Sequence, residues 1–100
     1  MVGMGFDASK RQAIQALHER RFRHERRSGE NKNLLETGEV TIEEAIQLLG
    51  QTRGTEATSS PHHFDRSVDV WVLRPRGWYI KFYVMDLCWF ISFHQSEERL

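Results

Sequence analysis

Four polar side chains near the end of the chain are of the types that cleave RNA without a metal ion. They are Tyr79, Lys81, Ser92 and His94, and they alternate with apolar residues along two strand-like runs. Such cleavage needs a base for the 2′-hydroxyl, an acid for the leaving oxygen and cations near the phosphorus. His suits the proton transfers near neutral pH, and Lys suits the phosphate. If the two runs pair, the sequence predicts a site with His94 as acid or base. The same alternation is also typical of a solvent-exposed sheet face.

Three arginines stand close to these residues in the sequence. Arg74 and Arg76 belong to the turn just before Tyr79, and Arg66 precedes the first strand-like run. The planar guanidinium group is suited to bidentate contact with phosphate. We therefore predict that these arginines contact the RNA backbone.

Two adjacent histidines, His62 and His63, occupy a polar loop at the mouth of the predicted sheet, where functional groups are common. Either is a candidate for the second proton-transfer group. With Asp65 nearby they also suggest a metal site, but neighbouring residues rarely point toward one ion and no further ligand follows at a standard spacing. We therefore predict no metal site, and ordinary loop residues remain the alternative.

Three predicted strands must position these side chains. β-Branched and aromatic residues are frequent over residues 68–95, and Pro and Gly interrupt this segment at a turn. The predicted strands cover residues 68–73, 78–85 and 88–95. Turn signals between them predict an antiparallel meander.

The register of the last two strands decides whether the candidate residues meet. A two-residue hairpin loop at positions 86–87 would pair Tyr79 with His94 and Lys81 with Ser92. A three-residue loop is the alternative, and it would break this pairing. The two-residue loop predicts one apolar face: Trp78, Ile80, Phe82, Val84, Trp89, Ile91, Phe93 and Gln95. It predicts a second, more polar face: Tyr79, Lys81, Tyr83, Met85, Cys88, Phe90, Ser92 and His94.

A first helix is predicted from a cap at Asp7 or Ser9 to about Arg27. Its end carries five arginines that are candidates to hold the RNA backbone: Arg20, Arg21, Arg23, Arg26 and Arg27. Salt bridges with Glu19 and Glu25 on a solvated face explain the same charges without a ligand. A second helix is predicted to begin at a capping box of Thr41 and Glu44 and to end at Gly50.

These elements predict an α+β fold, with two main helices packed on one face of a three- to four-stranded antiparallel sheet. The length of 100 residues predicts a single domain over residues 1–100. Within it we expect a loose start over 1–6, a helical half over 7–50, a linker and loop over 51–66 and the β-meander over 67–96.

The composition limits the kinds of partner and compartment. Net charge is zero, yet eleven of the fourteen basic residues are Arg and five of them cluster, so a polyanion partner is compatible. A single cysteine excludes an intrachain disulfide. Without a signal peptide or a long apolar run, we predict a cytoplasmic protein that meets no membrane, and no motif indicates a cofactor.

The C-terminal third resembles a known family. It is similar to RelE-like bacterial toxins, and in particular to the MqsR-type mRNA interferases. The segments that carry the resemblance are Asp69-Val70-Trp71, Arg74-Pro75, Tyr79-Ile80-Lys81 and Ile91-Ser92-Phe93-His94. The resemblance implies mRNA cleavage, free or ribosome-associated, and inhibition by a cognate antitoxin protein. It also implies that Tyr79 matches an active-site Tyr and that His94 replaces a Lys of the last strand.

Two other classes of function remain open from the residues alone. The Trp, Tyr and Arg content is typical of binding hot spots and is compatible with a non-catalytic interaction module, such as an immunity, adaptor or inhibitor protein. RNA binding without cleavage is the third interpretation.

Overall fold

Three α-helices and five strands form the described part of the chain, residues 5–26 and 32–96 of a computed structural model. The helices are α1 (Phe6–Glu19), α2 (Leu34–Thr37) and α3 (Ile42–Gln51). The strands are β1 (Phe22–His24), β2 (Ala57–Pro61), β3 (Asp69–Leu73), β4 (Trp78–Met85) and β5 (Leu87–Gln95). Short 3₁₀ turns at Gly54–Glu56 and Pro75–Gly77 precede β2 and β4. No helix within these described ranges is long and apolar enough to cross a membrane.

The five strands form one mixed sheet in the order β1-β5-β4-β3-β2. Strands β2 to β5 pair antiparallel, whereas β1 pairs parallel to β5. The α+β class is therefore confirmed. The expected three- to four-stranded, purely antiparallel sheet with two helices is wrong in its strand count, in the parallel pair and in omitting the four-residue helix α2. The two added strands are both short edge strands, which have weak sequence patterns.

The helices pack on one face of the sheet because each has a narrow apolar stripe that must be buried. Ala13 and Leu17 of α1 and Leu49 of α3 are fully buried, and they join Ile80 and Phe82 of β4 in one core. The predicted capping box is confirmed: Thr41 Oγ1 accepts from the Glu44 amide at 3.1 Å, and Glu44 Oε1 accepts from the Thr41 amide at 2.8 Å.

The first helix ends much earlier than predicted. It stops at Glu19, and Arg20 adopts a left-handed conformation with φ 56°. The Arg21 amide then donates to the Ala16 carbonyl at 2.8 Å, which closes the last helical turn. The chain emerges from this turn extended and forms β1, so the arginines from 21 onward do not lie on a helix. The expected helical half, residues 7–50, therefore contains a strand.

The segment predicted as a linker also contains a strand. Residues 57–61 form β2, which pairs along β3 from Ala57 opposite Leu73 to Pro61 opposite Asp69. Its side chains are mostly exposed and its far edge is unpaired in the sheet order. Small polar residues and a terminal Pro are typical of edge strands, but they are equally typical of loops, so the sequence does not separate the two.

The hairpin of β4 and β5 differs from the predicted register near its turn, but it contains the predicted pairs of Tyr79 with His94 and Lys81 with Ser92. Val84 is opposite Cys88, Met85 is opposite Leu87, and Asp86 turns the chain with φ 67°, so the two-residue loop is wrong. A β-bulge between Lys81 and Phe82 then restores the phase, because Ile91 is an extra residue in β5. Tyr79 consequently faces His94 and Lys81 faces Ser92, as predicted.

Between the turn and the bulge, four residues of β5 face the opposite way from the prediction. Cys88 and Phe90 enter the helix-covered core, although they were expected on the polar face. Trp89 and Ile91 join the opposite side of the sheet, although they were expected in the core. The physical reason is the one-residue shift of register, which reverses the direction of each side chain until the bulge corrects it.

A buried polar bridge joins β1, α2 and β5. Asn33 caps α2, with its Oδ1 accepting from the Glu36 amide at 3.1 Å. Its amide nitrogen is 3.0 Å from His24 Nδ1 and 3.5 Å from the Phe90 carbonyl oxygen. Because an amide nitrogen only donates, His24 Nδ1 accepts, and the ring is held in its neutral form.

Stability is expected to fall on acidification partly through His24. Burial, and to a smaller extent Arg26, lowers the pKa of His24 below its ordinary 6.5, although Glu36 opposes this. The unfolded chain therefore binds the proton more readily, and this stabilising contribution is present above pH 6.5 and is lost as the pH falls through the lowered pKa. Urea unfolding at about pH 7.5 and about pH 5.5 measures the loss, with the pH range set by ordinary His titration. His24→Gln should show a smaller decrease than the native chain; an equal decrease would exclude His24 as a source.

Candidate functional site

The candidate site lies on the side of the sheet opposite the helices, called here the open face. An apolar cluster on this face consists of Val70, Tyr83 and Ile91 with Val68 and Trp89, and it includes no helical residue. By strand alternation, Tyr79 and Lys81 of β4 and Ser92 and His94 of β5 project from the same side. All four are half-buried. The open face is thus partly apolar near the β4–β5 turn and polar toward the start of β4.

Tyr79 and His94 form a cross-strand ring stack at the polar end of the open face. Their ring centroids are 5.1 Å apart and their planes differ by 17°. His94 Nδ1 lies 2.8 Å from the carbonyl oxygen of Gln95. Because a carbonyl oxygen only accepts, Nδ1 must donate, and in the neutral ring the lone pair is on Nε2. His94 is therefore positioned as a proton acceptor through Nε2.

Arg74 also contacts the Tyr79 ring. Its guanidinium carbon lies 5.4 Å from the ring centroid, a cation–π arrangement. Arg74 directly follows β3 and His94 belongs to β5, so the two residues reach Tyr79 from the two strands that flank β4. Arg76 is exposed in the adjoining 3₁₀ turn, where it has a left-handed φ of 51°. This end of the sheet brings together four of the predicted site residues: Arg74, Tyr79, Lys81 and His94.

His62 is not brought to His94. Its side chain is buried at 6% exposure, and its ring packs edge-on against Tyr83 at 4.6 Å. Tyr83 follows Tyr79 by four residues in β4, which corresponds to roughly 13 Å along a strand. His62 Nδ1 already accepts from the amides of Phe64 and Asp65, at 3.1 and 3.2 Å. His62 is therefore not placed beside His94, and its expected role as a second proton-transfer group stays a prediction that this placement does not support.

The rest of that loop is also distant from Tyr79. His63 is exposed and its ring meets the edge of Phe64 at 5.5 Å. Arg66 is exposed in the turn that follows. Both residues accompany His62 at the far end of the open face, so neither His63 nor Arg66 joins the Tyr79–His94 pair. Within the described ranges, no three His, Cys, Asp or Glu side chains converge where a metal ion could be held.

The arginines from 20 to 26 are separated rather than clustered. Arg20 donates to the carbonyls of Leu17 and His18, each at 3.3 Å, at the end of α1. Arg26 forms a salt bridge with Glu36 at 2.7 Å, which raises the pKa of Arg26.

Two further arginines point to different surfaces. Arg21 lines a groove of about 470 Å³ between α1 and the β4–β5 turn. Arg23 pairs with Trp89 on the open face, and Arg27 lies outside the described residues. The described arginines of the expected cluster therefore lie on different surfaces, because the chain leaves the helix at Arg20 and continues as a three-residue strand and a loop. Their contact with the RNA backbone stays a prediction.

Sequence reasoning missed the polar partner of the open-face cluster. The Tyr83 hydroxyl donates to the carboxylate of Glu25, the residue that follows β1. Trp89 stacks on Tyr83 with planes only 8° apart and centroids 6.2 Å apart. These contacts depend on the parallel β1–β5 pair and on the bulge, and neither has a local sequence signal. The one sequence signal for β1 was the alternation of Phe22 and His24 with arginines, which is compatible with a strand.

The single cysteine has no role at this site. Cys88 is buried on the helix side, and burial raises the pKa of its thiol to about 12. The thiol is therefore protonated and shielded at neutral pH, and it is a poor nucleophile.

Comparisons of the chain with protein-family models, with curated proteins and with solved structures give no match. The resemblance of the C-terminal third to RelE-like toxins therefore stays a prediction from the residues.

Proposed function

We propose that this protein is an endoribonuclease of the toxin type that cleaves mRNA by general acid–base chemistry. The observation that carries the proposal is the fixed orientation of His94, whose Nδ1 donates to the Gln95 carbonyl while its ring stacks on Tyr79. This leaves Nε2 as a proton acceptor on the open face, next to cationic side chains. A base held in one tautomer beside cations is what cleavage at a 2′-hydroxyl requires.

In the proposed reaction, His94 Nε2 takes the proton of the 2′-hydroxyl. The 2′-oxygen then forms a bond to phosphorus while the bond from phosphorus to the 5′-oxygen breaks. The leaving 5′-oxygen takes a proton from a nearby acid. The products are a 2′,3′-cyclic phosphate and a 5′-hydroxyl end, so atoms and charge balance without a redox step.

Tyr79 is assigned the acid role through its hydroxyl. A Tyr side chain can stack on a base or donate a hydrogen bond, and the Tyr79 ring already contacts Arg74 and His94. Because these two contacts already use the ring, we assign Tyr79 to proton donation rather than to base stacking. Arg74 and the adjacent Lys81 supply positive charge where the phosphorane would form.

The biological setting of the proposal follows from the resemblance rather than from the geometry. An mRNA interferase must be held inactive in the cell that makes it, so a cognate antitoxin protein is the partner expected. Cleavage of free or ribosome-associated mRNA in the cytoplasm is compatible with the proposal. RNA binding without cleavage and a non-catalytic protein-interaction module are the alternatives that experiment must separate.

The chemistry is tested with two versions of one single-stranded oligonucleotide in buffer containing EDTA. Unmodified RNA is expected to be cleaved to fragments with 2′,3′-cyclic phosphate ends, because the mechanism uses the 2′-oxygen as nucleophile. The 2′-O-methyl version should bind and remain intact. Cleavage of both versions would exclude the mechanism, and binding of both without cleavage would identify an RNA-binding protein.

A further inference from the structure

A large aromatic side chain is left in solvent at the far end of the open face. Phe64 is 90% exposed in the loop between β2 and β3, whereas the next most exposed large apolar residue described, Met85, is at 38%. Exposing a phenyl ring forgoes the stabilisation that its burial would contribute to folding. A single exposed apolar residue is ordinary on a protein surface. The structure of the loop around Phe64 is therefore needed to decide whether the ring is a ligand-binding group.

The backbone under Phe64 is fixed rather than loose. Its amide donates to the buried ring of His62 at 3.1 Å, and the Asp65 amide donates to the same nitrogen at 3.2 Å. The Asp65 carboxylate accepts from both the amide and the hydroxyl of Ser67, at 3.1 and 2.6 Å. Two backbone hydrogen bonds close the base of the loop. The His62 amide donates to the Val68 carbonyl at 2.7 Å, and the Val68 amide donates to the Asp65 carbonyl at 3.0 Å. The loop therefore presents the phenyl ring in a prepared position, which lowers the entropic cost of binding a ligand there.

The surroundings of the ring indicate the chemical class of that ligand. His63 stands edge-on to Phe64, with ring planes at 90° and centroids 5.5 Å apart, so the two rings form a corner. Arg66, two residues further along the same loop, is exposed, and so are the polar residues at the end of β2 that lead into the loop. One aromatic ring among polar groups is far smaller than the area that a stable protein interface buries. It matches one flat nucleobase beside a phosphate, because base stacking on an aromatic ring is effective for a single base.

We propose that Phe64 stacks on a nucleobase of the bound RNA and forms a subsite separate from the Tyr79–His94 pair. This inference rests on the proposed function. His62 anchors the loop against Tyr83, roughly 13 Å along β4 from Tyr79. The stacked base therefore belongs to a nucleotide beyond the two that flank the cleaved bond. His62 acts as a positioning residue for this subsite, which gives its buried ring a role other than proton transfer.

The experiment measures binding apart from cleavage. The probe is a fluorescein-labelled single-stranded 2′-O-methyl oligonucleotide of about twelve nucleotides and mixed sequence, and the dissociation constant is measured by anisotropy at a fixed salt of about 0.1 M. The proteins are the native chain and its Phe64→Ala, Phe64→Leu and Phe64→Trp variants. Phe64→Ala is expected to weaken binding by about 5- to 150-fold, the range that follows from loss of one stacked base. Phe64→Leu should resemble the Ala variant, and Phe64→Trp should bind like the native chain, because a planar ring is what the subsite needs.

A second set of probes locates the base. Each probe carries one abasic position, and the position that Phe64 contacts should weaken native binding while no longer distinguishing Phe64→Ala from the native chain. Native affinity in Phe64→Ala, with RNA still bound by the native chain, would overturn this inference and leave the proposed function standing. Native affinity in Phe64→Leu would equally overturn stacking. If the native chain binds no RNA, both the proposed function and this subsite are excluded.

Discussion

Replacing His94 with Ala is expected to lower the rate of RNA cleavage by about 10²- to 10⁴-fold, the usual contribution of a general base. The substitution removes the only imidazole that the described structure places beside Tyr79, since His62 is held at the other end of the open face. Cleavage of a labelled single-stranded RNA under single-turnover conditions measures the effect, because product release then does not mask the chemical step.

The matched control for His94 is Ser92→Ala. Ser92 is also half-buried on the open face of β5, two residues earlier and opposite Lys81. It has no role in the proposed mechanism, so Ser92→Ala should cleave RNA at close to the native rate. Binding of the 2′-O-methyl oligonucleotide should be largely retained in both variants. Native-rate cleavage by His94→Ala would remove the base from the proposal and with it the assigned mechanism.

A second variant tests the role of Tyr79 independently of the role of His94. Tyr79→Phe keeps the ring between Arg74 and His94 and removes only the hydroxyl. If the hydroxyl is the acid, the rate should fall while the dissociation constant for the 2′-O-methyl oligonucleotide stays unchanged. Loss of binding instead of rate would mean that Tyr79 serves in recognition.

The local patterns of the sequence predicted the part of the site that depends on strand pairing near the ends of β4 and β5. Alternation of polar and apolar residues was sufficient to place Tyr79 opposite His94, and the structure confirms that pair. The predicted pair is correct although the predicted hairpin loop is wrong, because two unpredicted features shift the register in opposite directions. The shorter turn at Asp86 shifted the register by one, and the bulge at Ile91 shifted it back.

The remaining features depend on contacts between distant parts of the chain. The parallel pairing of β1 with β5 joins residues more than sixty positions apart, and β1 itself is only three residues long. Nothing in the pattern around Phe22 indicates which strand it joins. In the same way, the burial of His62 against Tyr83 is decided by how β2 adds to the edge of the sheet. Its neighbour His63 has the same residue type and remains exposed, so residue type alone does not separate the two roles.

The bulge is best tested at Phe90, and Phe90→Ala is expected to destabilise the protein by about 3–5 kcal/mol. Phe90 is fully buried and its ring contacts those of Phe22, Phe82 and Phe93, with centroids 5.9 to 6.3 Å apart. Removing the ring leaves a cavity where β1, β4 and β5 meet under the helices. Against the usual 5–15 kcal/mol of total stability for a domain, such a loss is large, and urea unfolding at neutral pH measures it.

Phe64→Ala is the matched control, because it makes the same chemical change at a ring that is 90% exposed. Its free energy of unfolding should stay within about 0.5 kcal/mol of the native value. The register expected from an unbulged hairpin with a two-residue loop would put Phe90 on the polar face, where truncation costs little. A loss below about 1 kcal/mol for Phe90→Ala, well short of the cavity range, would therefore favour that register. A large loss in Phe90→Ala alone would show that the one-residue shift at the turn is present in solution and directs Phe90 into the core.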